Sequence, residues 1–287
     1  MSPVVRFAAI PSRPPHVGDA RVALVNGLFA KARGGTFLVR LDEAAAEEAT
    51  AEAAIAIERD LLWMGLEWGA FARQSERTHL YRDAVAQLLA AGRVYATEDG
   101  AAEPGWRFRL AAGEMAWDDL VQGRQAVEAS GLSDPLVMRP DGTCLQLLAS
   151  VVDDIDLGVT DVIRGADHIA KAAVQIQLFE ALGTAPPAFG HLPMLTDGTG
   201  KPLGKRLAPL TVESIRDAGI EAMALNSLLA GLGRGQIIEP SLSLSDLAAD
   251  LDLASFGRFP PAFDLDALRQ LNARLIGQRP PATTRIP

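Results

Sequence analysis

An α/β fold built on a parallel sheet is what this sequence predicts, and three observations predict it. Short apolar runs alternate with longer stretches of helical periodicity as far as Leu192, the pattern of successive β-α-β units. The chain has 287 residues and 48% hydrophobic content, enough for a substantial core. No run of about 18 apolar residues interrupts it, so no membrane span is expected.

The elements follow in order. Val4 to Ala9 reads as a strand that leads into a helix over Asp19 to Ala32, carried by Val22, Leu24, Val25, Leu28 and Phe29 and stopped by Gly34-Gly35. Thr36 to Leu41 is a second strand, and Glu47 to Leu66 and Arg77 to Ala91 are helices. Between Thr97 and Pro140, Gly100, Pro104, Gly105, Gly113, Gly123 and Pro135 break the pattern, marking a small insertion between two halves of the sheet. The sheet resumes with strands at Thr160 to Ile163 and Phe189 to Leu192, flanking a helix over Ala166 to Leu182. Val212 to Arg216, Glu221 to Leu232, Leu244 to Leu251 and Leu265 to Leu275 then read as short amphipathic helices. The expected organisation is a Rossmann-like nucleotide-binding domain split over 1–96 and 140–196, a short insertion at 97–139, and a loop-and-helix region over 197–287.

Two segments carry the chemistry. Pro14-Pro15-His16-Val17-Gly18-Asp19-Ala20-Arg21 lies at a strand-to-helix turn, where free N–H groups and the helix dipole favour a phosphate. Glycine lets the backbone approach a nucleotide there, and an imidazole can donate to phosphate oxygens. Lys201-Pro202-Leu203-Gly204-Lys205-Arg206 lies in a Gly/Pro-rich loop from Thr196 that can place ammonium charge where negative charge builds up in adenylyl transfer. Taken singly, the first also fits a capped turn and the second a solvated basic loop. Ligands of such sheets sit beyond the carboxyl ends of the strands, which brings His16, Asp42 and Arg164 to one crevice.

Composition bounds the partners. The net charge of −9 opposes nonspecific binding to nucleic acid, DNA included, and the arginines near the C-terminus, Arg269, Arg274, Arg279 and Arg285, are scattered enough to be solubilising. A single cysteine, Cys144, excludes an internal disulfide and a multi-cysteine zinc site, and reads as a small buried hydrophobe. The N-terminus shows no signal pattern, so a cytoplasmic location is expected.

Colinear segments over nearly the whole chain resemble the class I glutamyl-tRNA synthetases, especially the bacterial start R-F-A-P-S-P-T-G-x-L-H-V-G. Arg6-Phe7-Ala8 and His16-Val17-Gly18 keep the spacing of that start, and Phe37-Leu38-Val39-Arg40-Leu41-Asp42 is similar to its second strand with an acidic end. Arg73-Gln74-Ser75-Glu76-Arg77, Trp117-Asp118-Asp119-Leu120-Val121 and Ser150-Val151-Val152-Asp153-Asp154 follow in family order. Val162-Ile163-Arg164-Gly165-Ala166-Asp167-His168 is similar to V-I-R-G-E-D-H, and Phe263-Asp264-Leu265 with Leu271-Asn272 to the helical region past the lysine loop.

The resemblance implies a class I synthetase catalytic core with a C-terminal helical stem-contact-like domain. It implies activation of glutamate with ATP and Mg²⁺ and transfer of the glutamyl group to a tRNA, with the tRNA acceptor stem as a partner. His16 and Lys205 would be catalytic; His16, Gly18, Lys201, Lys205 and Arg206 would hold ATP; Arg6, Ala8, Asp42, Gln146 and Arg164 would hold the amino acid. Recognising glutamate needs a cation for each carboxylate and an acceptor for the ammonium, the parts offered by Arg6, Arg164 and Asp42. As structural residues, Arg6 and Arg164 would instead pair with Asp42, Asp153 or Asp154. No protein-held metal and no zinc is expected, because most of the insertion that carries zinc cysteines in the family is missing. The expected assembly is a monomer without an anticodon-binding domain, as in the truncated glutamyl-queuosine tRNA(Asp) synthetases.

The departures lie at the chemistry. P-S-P-T-G becomes Ala9-Ile10-Pro11-Ser12-Arg13, the family's substrate-contacting tyrosine becomes Gln146, and Ala44-Ala45, Ala166 and Gly204 replace polar family residues. Exchanging a phenol for an amide shifts selectivity among Glu, Gln and their relatives by about 1–3 kcal/mol. Two further expectations therefore stand: a paralogue that passes glutamate or a related amino acid to a non-tRNA acceptor, and a catalytically impaired regulatory amino-acid-binding protein.

Overall fold

A computed structural model describes residues 2–44, 46, 48–97, 105–203 and 210–278. Its centre is a five-stranded sheet of β1 (Val4–Ala9), β2 (Thr36–Leu41), β3 (Ala70–Arg73) and, after the insertion, β9 (Asp161–Gly165) and β10 (Ala188–Leu192). The spatial order is β10-β9-β1-β2-β3 and every pairing is parallel. The chain thus builds outward from β1 in one direction, then returns to build outward in the other. The switch between β1 and β9 leaves a crevice at the carboxyl ends of those strands, the standard ligand position of such sheets.

Strand alternation decides what each face carries. Val5 and Phe7, Phe37, Val39 and Leu41, Ile163 and Leu192 enter one core with α1 (Val17–Ala32) and α2 (Ala51–Trp63). Leu38, Val162 and Phe189 enter the other. That second core is formed with α3 (Thr78–Ala90), α4 (Gln146–Asp156) and α5 (Ile169–Ala181). Arg6, Arg40, Arg164 and His191 share the parity of this second set, so all four stand on the face covered by α4 and α5. The helices α6 (Val212–Asp217), α7 (Ala222–Gly231), α8 (Leu244–Ala249) and α9 (Leu265–Gln278) pack on the α1 side.

Local chemistry moved several expected boundaries. Thr50 accepts from Ala53 N–H at 3.1 Å in extended conformation, so α2 starts at Ala51 rather than Glu47. Ala166–His168 is a 3₁₀ turn, so α5 starts at Ile169 rather than Ala166. The four-residue strand β3 was not expected, because Ala70–Arg73 is too short to show a period. The insertion carries strands of its own: β5 (Trp106–Phe108) and β8 (Leu136–Met138) form one small sheet with β4 (Val94–Ala96), which precedes it. The ribbon of β6 (Glu114–Asp119) and β7 (Gly123–Glu128) forms another.

Among the described residues, no helix is long and apolar enough to cross a membrane. Burial pushes the Cys144 thiol up to about 12, consistent with a packing role.

Candidate active site

The switch-point crevice holds a cavity of about 100 Å³. Arg6 and Ala8 come from β1, Arg40 and Asp42 from β2 and its end, Ile163 and Arg164 from β9, and Gln146 from the first residue of α4. Ser150 of α4, His168, and Lys171 and Gln175 of α5 complete the polar lining. The five residues expected to hold an amino acid, Arg6, Ala8, Asp42, Gln146 and Arg164, are therefore brought together. The volume lies below that of pockets for drug-sized molecules and suits a small ligand.

Helix α4 supplies the polar wall. Gln146, Ser150, Asp153 and Asp154 recur at helical spacing, so one face of the helix turns polar groups toward the strand arginines. Asp154 accepts from Arg6 Nε and Nη2 at 3.0 and 3.3 Å and from Arg40 Nη1 at 2.7 Å. Burial works to raise its carboxyl, but Arg6 and Arg40 outweigh burial and hold it below the usual range. Arg40, with 0% exposure, also grips Asp42 from Nε at 2.6 Å and Nη2 at 3.3 Å. Burial alone would depress the Arg40 pKa; the carboxylates of Asp42 and Asp154 turn the net shift upward. Asp153 is spent on structure, accepting from Gln74 at 2.8 Å, Arg77 at 2.7 Å and Tyr81 at 2.9 Å.

Arg6 and Arg164 differ within this network. Arg6 has the structural partner Asp154. Arg164 has no carboxylate partner at ion-pair distance among the described residues; it donates from Nε to His191 Nε2 at 3.2 Å and from Nη2 to the His168 carbonyl at 3.3 Å. Desolvation, then the like charge of Arg6, lowers its pKa to about 9. The cavity thus sets an under-neutralised guanidinium beside a second one, with a carboxylate, Asp42, at the end of β2. Gln146 donates to Asp42 Oδ2 at 3.3 Å, so its amide reads the acidic end of the cavity rather than the arginine end.

His16 and Gly18 do not line this cavity. His16 caps α1 instead: Nδ1 accepts from Gly18 N–H at 3.3 Å, while Asp19 accepts from His16 N–H at 2.9 Å, closing a capping box. With Nδ1 as acceptor, the neutral imidazole carries its proton on Nε2, which is buried and has no hydrogen-bond partner among the described residues. Desolvation lowers the His16 pKa and keeps the ring neutral. That leaves an unused donor at a helix N-terminus. Arg13, at a family glycine position, pairs with Asp19 at 2.8 Å and offsets the carboxylate at this terminus.

The two described flanks of the lysine loop differ in what they touch. Thr196 bridges to Pro202, and Leu203 N–H bonds Leu195 at 3.0 Å. Past the loop, Thr211 bridges to His16, and Val212 N–H bonds Pro15 at 3.0 Å. The far flank is thus tied to the α1 turn, while the near flank closes on itself as a hairpin. Lys201 is exposed on the near hairpin; Gly204, Lys205 and Arg206 lie outside the described residues. Arg269 pairs with Asp266, and Arg274 with Glu239, which makes these two arginines ordinary surface residues; Arg279 and Arg285 lie outside the described residues.

The sequence does not single out Arg40, which lines the cavity, or His191 and Asp119, which stand behind Arg164. Strand parity carried the signal for Arg40 and His191, whereas Asp119 is placed by a contact 72 residues away in sequence.

The fold and site define a doubly wound α/β domain with a small charged cavity at its switch point. The catalytic-domain model of class I tRNA synthetases of the E and Q type matches residues 3–103 and 102–243. A glutamate–tRNA ligase of Azospirillum brasilense is 45% identical over 315 residues, spanning 96% of this chain and 71% of that protein. A second, from Methylorubrum populi, is 43% identical over 317 residues, with 97% and 71% covered. The chain belongs to the class I tRNA synthetase family of the glutamate and glutamine type. These alignments are longer than the chain itself, so the relatives carry internal residues without counterpart here; the family match breaks at 102–103, inside the insertion. Among solved structures, a glutamate tRNA ligase from Elizabethkingia meningosepticum in complex with its amino acid shares the fold. It superposes with a TM-score of 0.86 at 23% identity, over 97% of this chain and 70% of that one.

Proposed function

We propose that this protein activates glutamate with ATP to glutamyl-adenylate and passes the glutamyl group to a tRNA. One observation carries the reading: Arg164, short of a carboxylate partner, stands beside Arg6 in a cavity whose far side is Asp42. The arginines would take glutamate's carboxylates and Asp42 its ammonium, because planar guanidinium groups bond carboxylates from two nitrogens. Glutamine would leave one cation unpaid in charge, which favours the acid over the amide.

The ATP would sit at the α1 turn. There the orphan Nε2–H of His16 and the helix N-terminus offer donors to phosphate oxygens, and Lys205, with Lys201 and Arg206, would add cationic charge. Mg²⁺ fits this setting as a companion of the phosphates, shielding their charge when bound. The glutamate α-carboxylate oxygen would attack the α-phosphorus as pyrophosphate leaves. A tRNA-end hydroxyl would then attack the carbonyl as AMP leaves.

The test is amino-acid-dependent ATP–pyrophosphate exchange, with and without total tRNA, across glutamate, glutamine and aspartate. Exchange specific for glutamate together with glutamyl-tRNA formation supports the reading. Exchange indifferent to tRNA with no charged tRNA would move the acceptor to a non-tRNA molecule, and ATP binding without exchange would make the protein a regulatory binder.

A further inference from the structure

We infer that Asp119 and His191 are positioning residues that aim Arg164 at the substrate, so that the insertion takes part in amino-acid recognition. This rests on the proposed glutamate site.

The ribbon β6–β7 ends beside the sheet's edge strand β10. Leu120 N–H bonds the Phe189 carbonyl at 2.8 Å, and Gln122 Nε2 bonds the His191 carbonyl at 2.7 Å. Asp119, the last residue of β6, is fixed more firmly than a surface carboxylate. Its Oδ1 accepts from the backbone N–H groups of Val121, Gln122 and His191 at 3.0, 2.9 and 3.0 Å. Its Oδ2 lies 2.5 Å from His191 Nδ1. Both residues are sealed from solvent, with side chains at 0% exposure.

The ring's two nitrogens then have separate tasks. A carboxylate on Nδ1 keeps the proton there, which makes Nε2 the acceptor. Nε2 receives Arg164 Nε at 3.2 Å. The residues are direct neighbours in the β9–β10 register, on the same face, and the Arg164 guanidinium also lies 5.5 Å over the Phe189 ring, which stacks with His191. With Nε held by His191 and Nη2 by the His168 carbonyl, the plane of the guanidinium is set and Nη1 is left for a ligand. The Trp117–Val121 segment thereby acquires a purpose that neither catalysis nor zinc gives it. A residue from the insertion locks a ring, and the ring locks the guanidinium.

Two measurements test the relay. Nitrogen-15 spectra of the histidine rings at neutral pH should show His191 neutral and protonated on Nδ1; a proton on Nε2, or an imidazolium, would overturn the proposal whatever reaction the protein performs. Steady-state exchange kinetics of His191→Gln, His191→Asn and Asp119→Asn supply the functional readout. Glutamine can put its carbonyl oxygen near the Nε2 position, whereas asparagine reaches only the Nδ1 side. His191→Asn and Asp119→Asn should raise the KM for glutamate roughly tenfold or more, the scale of one lost hydrogen bond to a charged group, while the KM for ATP stays put. His191→Gln should recover most of that loss. Equal defects in His191→Gln and His191→Asn, or KM values for glutamate and ATP that rise together, would reduce the pair to a structural role and overturn the proposal. Absence of glutamate-dependent exchange in the wild type would instead defeat the functional reading, leaving the ring spectra to decide the relay.

Discussion

Replacing Arg40 with methionine should cost about 3–5 kcal/mol, the usual penalty for removing one partner of a buried ion pair. Methionine keeps most of the stem and its packing, so the loss isolates the guanidinium. The structure says which groups bear it. Asp42 loses contacts at 2.6 and 3.3 Å and keeps only the Gln146 amide at 3.3 Å among its side-chain partners. Asp154 loses a contact at 2.7 Å but retains both bonds from Arg6, and Asp153 loses an ion pair at 3.5 Å but retains Gln74, Arg77 and Tyr81. Asp42 is thus left as a buried, poorly compensated carboxylate. Urea unfolding followed by tryptophan fluorescence should show the midpoint falling with the slope unchanged. The melting temperature should drop by roughly 6–20 °C. Adding Asp42→Asn should restore part of the loss, since the pair couples strongly only while both charges are present. A change below about 1 kcal/mol, the worth of an exposed pair, would refute the reasoning.

Arg164→Met should leave the melting temperature close to that of the wild type, because a desolvated guanidinium without a carboxylate partner among the described residues adds little to stability; a loss as large as that of Arg40→Met would contradict this. Acid should destabilise the fold from pH 6.5 downward. Burial holds His168 at about 4 and keeps His16 and His191 below their ordinary value, so the unfolded chain binds more protons across that window and stability falls with pH. Asp119 and Asp154, held below the usual carboxylate range, extend the loss further down. Urea midpoints that stay flat between pH 7 and 5 would refute it. Lys205→Ala should slow pyrophosphate exchange while leaving glutamate affinity nearly intact, as calorimetry can check; a matched fall in both would remove Lys205 from the ATP side.

What the sequence disclosed follows from the range of each interaction. Short apolar runs placed β1 and β2 at their observed limits, since that signal needs only neighbouring residues. Arg6, Asp42, Gln146 and Arg164 were legible as a group through the family resemblance and share one cavity. The division of labour among them was not legible. That Arg6 is tied to Asp154 while Arg164 is not depends on how α4 docks, and its polar stripe at 146, 150, 153 and 154 makes sense only with the strand arginines opposite. His16 read as a phosphate ligand in one crevice with Asp42 and Arg164; it caps α1 and does not line the cavity that holds those two.

Calorimetric titration of glutamate and glutamine into the wild-type protein and Arg164→Met tests the central claim most directly. The wild type should prefer glutamate by about 1–3 kcal/mol, the discrimination expected when a buried charged group would otherwise go unpaired, and the variant should lose that preference. Equal affinity of the wild type for both amino acids would contradict a site organised around an unpaired arginine.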